Sequence, residues 1–230
     1  MFLRLFALRL FPENPVLFSI TGLRAYLTRG LADYSALHKD SNAEFVHRYP
    51  PLQCKLIKNN LMVIGISQGA DFLLEIVENQ QIISPGENAC SVEERTPGVR
   101  LEPFGIGGNT QEYEFLTPLL ALNQQNAKRF YELTGKPKRD AFMQKILLGT
   151  LSVLVKSLDY KPPAPITCKQ KLRFRKDWID NKSVMVFTGR FQTNLSIPDY
   201  IGIGQSVSLG FGAIRHLTDE HGSDSEDTRL

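Results

Sequence analysis

Tryptophan occurs once in the 230 residues, cysteine three times and histidine four times. No stretch approaches the roughly 18 consecutive apolar residues that span a membrane. The apolar segment 2–11 is interrupted by Arg4 and Arg9 and has no small-residue cleavage site, so we expect no signal peptide. Cys54, Cys90 and Cys168 are odd in number, far apart and without a CxxC pair. That pattern argues against a disulfide framework and a cysteine metal site, and points to a soluble, cytoplasmic protein in a reducing compartment. Carboxylate clusters of the metal-nuclease type are missing, so no metal and no cofactor is expected. A net charge of +3 is too small to establish a polyanion partner, and affinity for one must come from local clustering.

What is present is an ordinary globular composition, 42% hydrophobic and 22% charged. The length suits two domains of about 100 residues each. Residues 2–10 read as a strand, ended by Pro12 and the turn residues 13–15. Residues 17–33 repeat apolar side chains at helical spacing through Ile20, Leu23, Leu27 and Leu31. Two strands, 43–58 and 61–66, meet at an Asn59-Asn60 turn. A short helix over 68–78 follows, then strand at Ile82-Ile83 and at 99–104. The order β-α-β-β-α-β is ferredoxin-like. Glycines 105, 107 and 108 are the expected hinge. Beyond it we expect a strand at 112–116, a helix from Pro118 to Leu133, a helix over 139–159, and strands at 166–176 and 183–195. A second helix shortened to 198–201 and a last strand over 211–217 complete the second unit. The expected class is therefore α+β, two tandem ferredoxin-like (βαββαβ, RRM-like) domains at 1–108 and 109–218, with an acidic tail at 219–230.

Near the C-terminus Gly202, Gly204, Gly210 and Gly212 form two Gly-x-Gly pairs around Gln205, Ser206 and Ser208. Glycine permits positive φ and close approach, and successive amides with serine hydroxyls are able to hold phosphate. A dinucleotide site fails on context, because no helix follows. A bulged hairpin or tight turn stands beside the phosphate-loop reading.

Four motifs carry a resemblance. Gly202-Ile203-Gly204, five residues, then Gly210-Phe211-Gly212 is similar to the C-terminal glycine-rich loop of the RAMP superfamily, and within it to the CRISPR repeat-RNA-processing endoribonucleases. Arg48-Tyr49-Pro50, followed by Gln53-Cys54-Lys55, resembles that family's RYP-x-x-QYK strand, with cysteine at the aromatic position. Glu114-Phe115-Leu116-Thr117-Pro118 with Ala121-Leu122-Asn123 resembles FLTPW-x-ALN, with Leu119 for the Trp. Arg190-Phe191 and Asn194 precede Ile197-Pro198-Asp199-Tyr200 as in the family's last strand and turn. The resemblance spans most of residues 45–214. It implies a groove for CRISPR repeat RNA between two ferredoxin-like domains, and cleavage of the precursor into guide units. It leaves open a homodimer and the subunits of an effector complex as further partners; no membrane is implied.

Lys169, Lys171, Arg173 and Arg175 alternate with Gln170, Leu172 and Phe174, which puts four charges on one strand face. A solvated sheet face is the plain reading, but four like charges repel and a phosphate backbone relieves that repulsion. Residues 103–230 hold 17 Lys/Arg and 13 Asp/Glu, against 10 and 11 in residues 1–102. The family places basic residues in the glycine loop where this chain has Gln205 and Leu209. Phosphate contact there falls to backbone amides, Gln205, Ser206 and Ser208.

For chemistry, the RNA 2′-hydroxyl is its own nucleophile, and histidine, with a pKa of roughly 6.5, suits the proton transfers. His216 and His221 lie in the final strand and tail and are set aside. Leu37-His38-Lys39-Asp40 corresponds to the family's LHNH-like segment, with Asp40 in place of the second histidine. His38 is the first candidate and His47 or Tyr49 the second, with Lys39 and Arg29 as supporting cations. Two competing readings stand: a non-catalytic RNA-binding RAMP subunit, favoured by Asp40, and a ferredoxin-like ligand- or protein-interaction domain without RNA affinity.

Overall fold

The computed structural model describes residues 1–14, 19–37, 49–79, 82–83, 90–94, 98–179 and 182–217. The first unit runs β1 (Phe2–Pro12), α1 (Ile20–Leu37), β2 (Leu52–Ile57), β3 (Asn60–Ile66), α2 (Gln68–Asn79), β4 (Ile82–Ile83), β5 (Cys90–Glu94) and β6 (Arg100–Pro103). Its sheet has the order β2-β3-β1-β5-β4, with β6 also on β1. Two segments share the fourth-strand position: β5 pairs with residues 8–12 of β1, and β6 pairs with residues 2–5. Both faces of β1 are buried, which explains its dense apolar run. Phe6, Leu8 and Leu10 meet Leu23, Leu27 and Leu31 of α1 and Leu73 of α2. Leu3, Leu5 and Ala7 belong instead to a core continuous with the second unit.

That unit runs β7 (Gly105–Phe115), α3 (Gln124–Glu132), α4 (Lys136–Ser157), β8 (Cys168–Ile179), β9 (Lys182–Ser196), a single 3-10 turn (Val207–Leu209) and β10 (Ile214–His216). The sheet order is β10-β7-β9-β8. In both units the first strand is central and the last lies beside it, the antiparallel ferredoxin-like arrangement. α4 buries Met143, Leu147, Leu151, Leu154 and Val155, three and four residues apart, against the sheet. Among the described residues no helix is long and apolar enough to cross a membrane.

Several expectations are corrected. Glycines 105–108 are no hinge: they lie within β7, where Gly105 pairs with Ser196. The Ile106 amide donates to the Tyr160 hydroxyl at 3.0 Å. Gly105 has φ +131°, and a Cβ there would sit 2.6 Å from the Tyr160 ring, so glycine serves a close approach. The neighbouring Phe104 is pinned as well, its amide donating to the Met1 carbonyl at 2.8 Å. The helix expected from Pro118 starts only at Gln124, where the Asn123 side chain accepts from the Asn126 amide at 2.8 Å. Before that cap, Leu119 is extended and exchanges backbone hydrogen bonds with Phe187. The hairpin turn is at Lys58-Asn59, both at positive φ, so Asn60 opens β3. The strand expected over 43–58 occupies 52–57, and residues 43–48 lie outside the described residues. The shortened second helix is the 3-10 turn at 207–209 rather than 198–201, since Ser206 and Gly210, both left-handed, bracket it. The last strand is confined to 214–216, because residues 210–213 are engaged in loop contacts.

Gly149 sits exposed within α4, and a Cβ there would meet nothing within 4 Å. Gly149→Ala should therefore stabilise the protein by about 0.5–1 kcal/mol, read as a raised urea midpoint at unchanged slope.

Candidate nucleic-acid interface

Residues 197–213 leave β9, double back and enter β10. Ile203 donates to the Gly212 carbonyl at 2.8 Å and Ile214 to that of Ile201 at 3.2 Å, so the loop closes as a narrow hairpin. It docks on the first unit through β2. The Gly202 amide donates to Gln53 Oε1 at 3.0 Å, and the Tyr49 hydroxyl donates to the Gly202 carbonyl at 2.5 Å. On its other side, Thr117 Oγ1 donates to the Gly210 carbonyl at 2.6 Å and accepts from the Ala213 amide at 2.8 Å. Gln205 and Gly212 donate to the carbonyls of Leu120 and Pro118 at 2.7 and 2.8 Å.

The glycines are required by this packing. A Cβ on Gly210 would lie 2.9 Å from the Cys54 carbonyl oxygen, on Gly204 2.4 Å from that of Leu120, and on Gly212 1.9 Å from that of Ile203. All three residues have positive φ. The amides of Gly202, Gln205, Gly210 and Gly212 are thus already committed inside the protein. This removes them from the phosphate donors expected from the sequence, since one N–H holds one good acceptor. The exposed Gln205 and Ser206 side chains and the half-buried Ser208 are what the loop offers outward.

Beneath the loop lies a polar residue that the sequence reading left out of the site. Lys55 is fully buried, its ammonium donating to Gln53 Oε1 at 2.9 Å. Burial pushes its pKa down to about 7. Burial also pushes the neighbouring Cys54 thiol up to about 12 and holds the Tyr49 hydroxyl above the usual tyrosine range. Tyr49 is therefore a protonated donor that grips the loop rather than a base. Gln53, Lys55 and Thr117 are the functional residues missed. The signal for Gln53 and Lys55 was the placing of polar side chains inside the expected strand 43–58; Thr117, between an expected strand and helix, gave none of that kind.

Tyr49 closes the segment that begins after α1, and α1 also approaches the 3-10 turn. His38, Lys39 and His47 lie outside the described residues, as do Asp40 and Arg48. Arg29 is exposed on α1.

Lys169, Lys171, Arg173 and Arg175 of β8 are exposed on one face of the second sheet, as expected. The register adds two more. Lys171 lies opposite Arg190, Arg190 opposite Glu114, and Glu114 opposite Arg215, one row across four strands. Glu114 is paired with Arg215, and Asp177 with Arg175 at 2.9 Å. Among the described residues Lys169, Lys171, Arg173 and Arg190 have no acidic partner. Between the two sheets lies an open cleft of about 730 Å³, floored by Leu5, Ala7, Ile64 and Ile197, with Gln111 and His216 on its polar side.

Two ferredoxin-like domains, a docked C-terminal glycine loop and a largely unpaired basic sheet face are the features of a RAMP-type protein. Family models for the Cas6b N-terminal and C-terminal domains match residues 1–100 and 105–217, and the chain belongs to the Cas6b family. A crystal structure of Cas6b superposes with a TM-score of 0.73 at 26% identity, over 94% of this chain and all of that one. A second, of the CRISPR RNA processing endoribonuclease Cas6b, gives 0.71 at 26% identity with the same coverage. An uncharacterised protein of Methanocaldococcus jannaschii is 36% identical over 124 residues, half of this chain and 79% of its own length.

Gly212→Ala should lower stability by at least about 2 kcal/mol, measured by urea unfolding, with the loss of loop docking visible as faster amide exchange at Ile203. A second outcome concerns pH. Lys55 is held near 7 in the folded chain, against an ordinary value of 10.5. Above about pH 7 the unfolded chain therefore binds the extra proton, and stability rises with pH. From about pH 8.5 the buried thiols of Cys54, Cys90 and Cys168, all shifted upward, oppose it, because only the unfolded thiols ionise. Lys55→Met should flatten the rise in Tm between about pH 7 and 8.5 and leave the fall above it intact.

Proposed function

We propose that this chain cleaves CRISPR repeat RNA into guide units by attack of a 2′-hydroxyl on the adjacent phosphate, without a metal ion. The observation that carries the reading is the contact of Tyr49 with Gly202. It fixes Tyr49, eleven residues after His38 in the sequence, to the glycine loop, whose Gln205 and Ser206 face solvent. The 2′-oxygen forms a bond to phosphorus as the bond to the 5′-oxygen breaks. The products are a 2′,3′-cyclic phosphate and a 5′-hydroxyl. His38 takes the 2′ proton or supplies one to the leaving oxygen, with His47 as the alternative. Tyr49 serves by holding the loop. Lys169, Lys171, Arg173, Arg175 and Arg190 attract the backbone, with Lys39 and Arg29 near the cut.

The exposed, unneutralised charges of the second sheet support RNA over a protein or small-molecule ligand. Free, buried cysteines are consistent with the cytoplasmic location we propose. Assembly with a second copy or with effector subunits is a finer reading, decided by light scattering with and without RNA.

Cleavage of labelled repeat RNA in EDTA should proceed in the wild type. It should slow about 10²- to 10⁴-fold in His38→Ala and stop with a 2′-deoxy nucleotide at the cut. Tight, salt-sensitive binding without cleavage would assign the chain to the non-catalytic subunits instead. Cutting undiminished by His38→Ala would move the proton transfer to His47.

A further inference from the structure

The chain's one tryptophan lies near the tip of the β8–β9 hairpin, and at 71% exposure Trp178 is the most exposed large apolar side chain among the described residues. It pairs with Ser183, one step before the ladder ends at Ile179 and Lys182. On the same face, at spacings of two, come Lys176 and Phe174. Phe174 is 45% exposed, with the Arg139 guanidinium 5.5 Å from its ring. The Lys176 ammonium lies 5.4 Å from the ring of Tyr131, itself 49% exposed. The opposite face of the same strand carries Arg173 and Arg175.

β8 is the end strand of its sheet. Lysine and arginine on an end strand have a plain purpose, which is to deter edge-to-edge pairing of copies. An exposed tryptophan among them works against that purpose and calls for an occupant. Water solvates an indole poorly, whereas a nucleobase stacks on it with any sequence. Alternation of cations with aromatic faces is the composition of a single-stranded nucleic-acid track.

The fold also sets the distance. The Gln205 amide bonds Leu120, Leu119 pairs with Phe187, and Phe187 pairs with Phe174, four residues before Trp178. At strand spacings of about 4.8 Å and about 3.3 Å per residue, the indole lies about 20 Å from the glycine loop. Because β8 is the end strand, an RNA chain that follows Arg173 and Arg175 on one face reaches Trp178 by passing around that edge.

We infer that Trp178 stacks on one unpaired nucleobase of the repeat RNA, several nucleotides from the scissile phosphate, and so sets the register in which the RNA enters the site. The inference rests on the RNA-cleavage reading above and adds a second, aromatic anchor point to it.

The single tryptophan makes the test direct. The full chain is titrated with end-labelled repeat RNA carrying a 2′-deoxy nucleotide at the cut, following label anisotropy and tryptophan emission together. Emission should fall with the same midpoint as the anisotropy rises. Trp178→Ala should weaken binding roughly 5- to 100-fold and Trp178→Phe should restore most of it, with the salt slope unchanged. Single-turnover cleavage of all-ribose repeat RNA at saturating enzyme should lose accuracy in Trp178→Ala, with cuts at neighbouring phosphodiesters, and regain the single cut in Trp178→Phe. Abasic substitution along the RNA should find one position that reproduces the alanine effect and adds nothing to it. RNA that binds and is cut while emission stays flat, or Trp178→Ala binding like wild type, overturns this inference alone and leaves the tip as a protein-docking feature. No anisotropy change at all overturns the RNA reading together with it.

Discussion

Contact between the glycine loop and β2 is the constraint on which the rest of the molecule depends. Gln53 Oε1 accepts from both the Gly202 amide and the Lys55 ammonium, and the Tyr49 hydroxyl donates to the Gly202 carbonyl. These bonds are made where water is excluded, so an unmade one leaves a buried polar group at a cost of about 1–3 kcal/mol. Because the loop belongs to the second unit and β2 to the first, the same bonds that shape the loop also unite the two domains. Thr117 holds the loop's far side to its own sheet. A loop gripped from both sides arrives at the RNA already shaped.

The buried lysine follows from that arrangement. A methionine would fill similar space without desolvating a charge, yet Lys55 supplies Gln53 with a donor and aims its Oε1. Burial keeps the ammonium near its point of neutralisation at neutral pH, so the cost of burying it is moderated by losing the proton. Function is thereby divided between two surfaces. The buried network positions, and in the function we propose the exposed charges of β8 and β9 attract. The amides of Gly202, Gly210 and Gly212, spent on the protein itself, do neither for phosphate.

The tandem ferredoxin-like architecture was readable from the order of apolar periods, and the basic face from alternation in residues 169–175. Both signals are local, arising from the twofold and 3.6-fold repeats of side-chain direction. Boundaries were less readable where a tertiary partner overrode local preference. Pro118 looks like a helix start, but Leu119 is held extended by Phe187. Glycines 105–108 look like a hinge, but one of them makes room for Tyr160, some 55 positions away in the chain.

The glycine loop shows where the division falls. Sequence alone determined that residues 202–212 would form a segment dependent on glycine, because positive φ and close approach are properties of the residue itself; it left a tight turn and a phosphate loop side by side. It also determined the family, through motifs whose spacing survives in this chain. Only the tertiary structure decided what the glycines approach, that Gln53, Lys55 and Tyr49 form the seat, and that Arg190 joins the basic row. Those facts depend on β2 meeting a loop about 150 residues later, and on strand register across a sheet. Neither is encoded in a local period, since each arises only when distant segments share one buried volume.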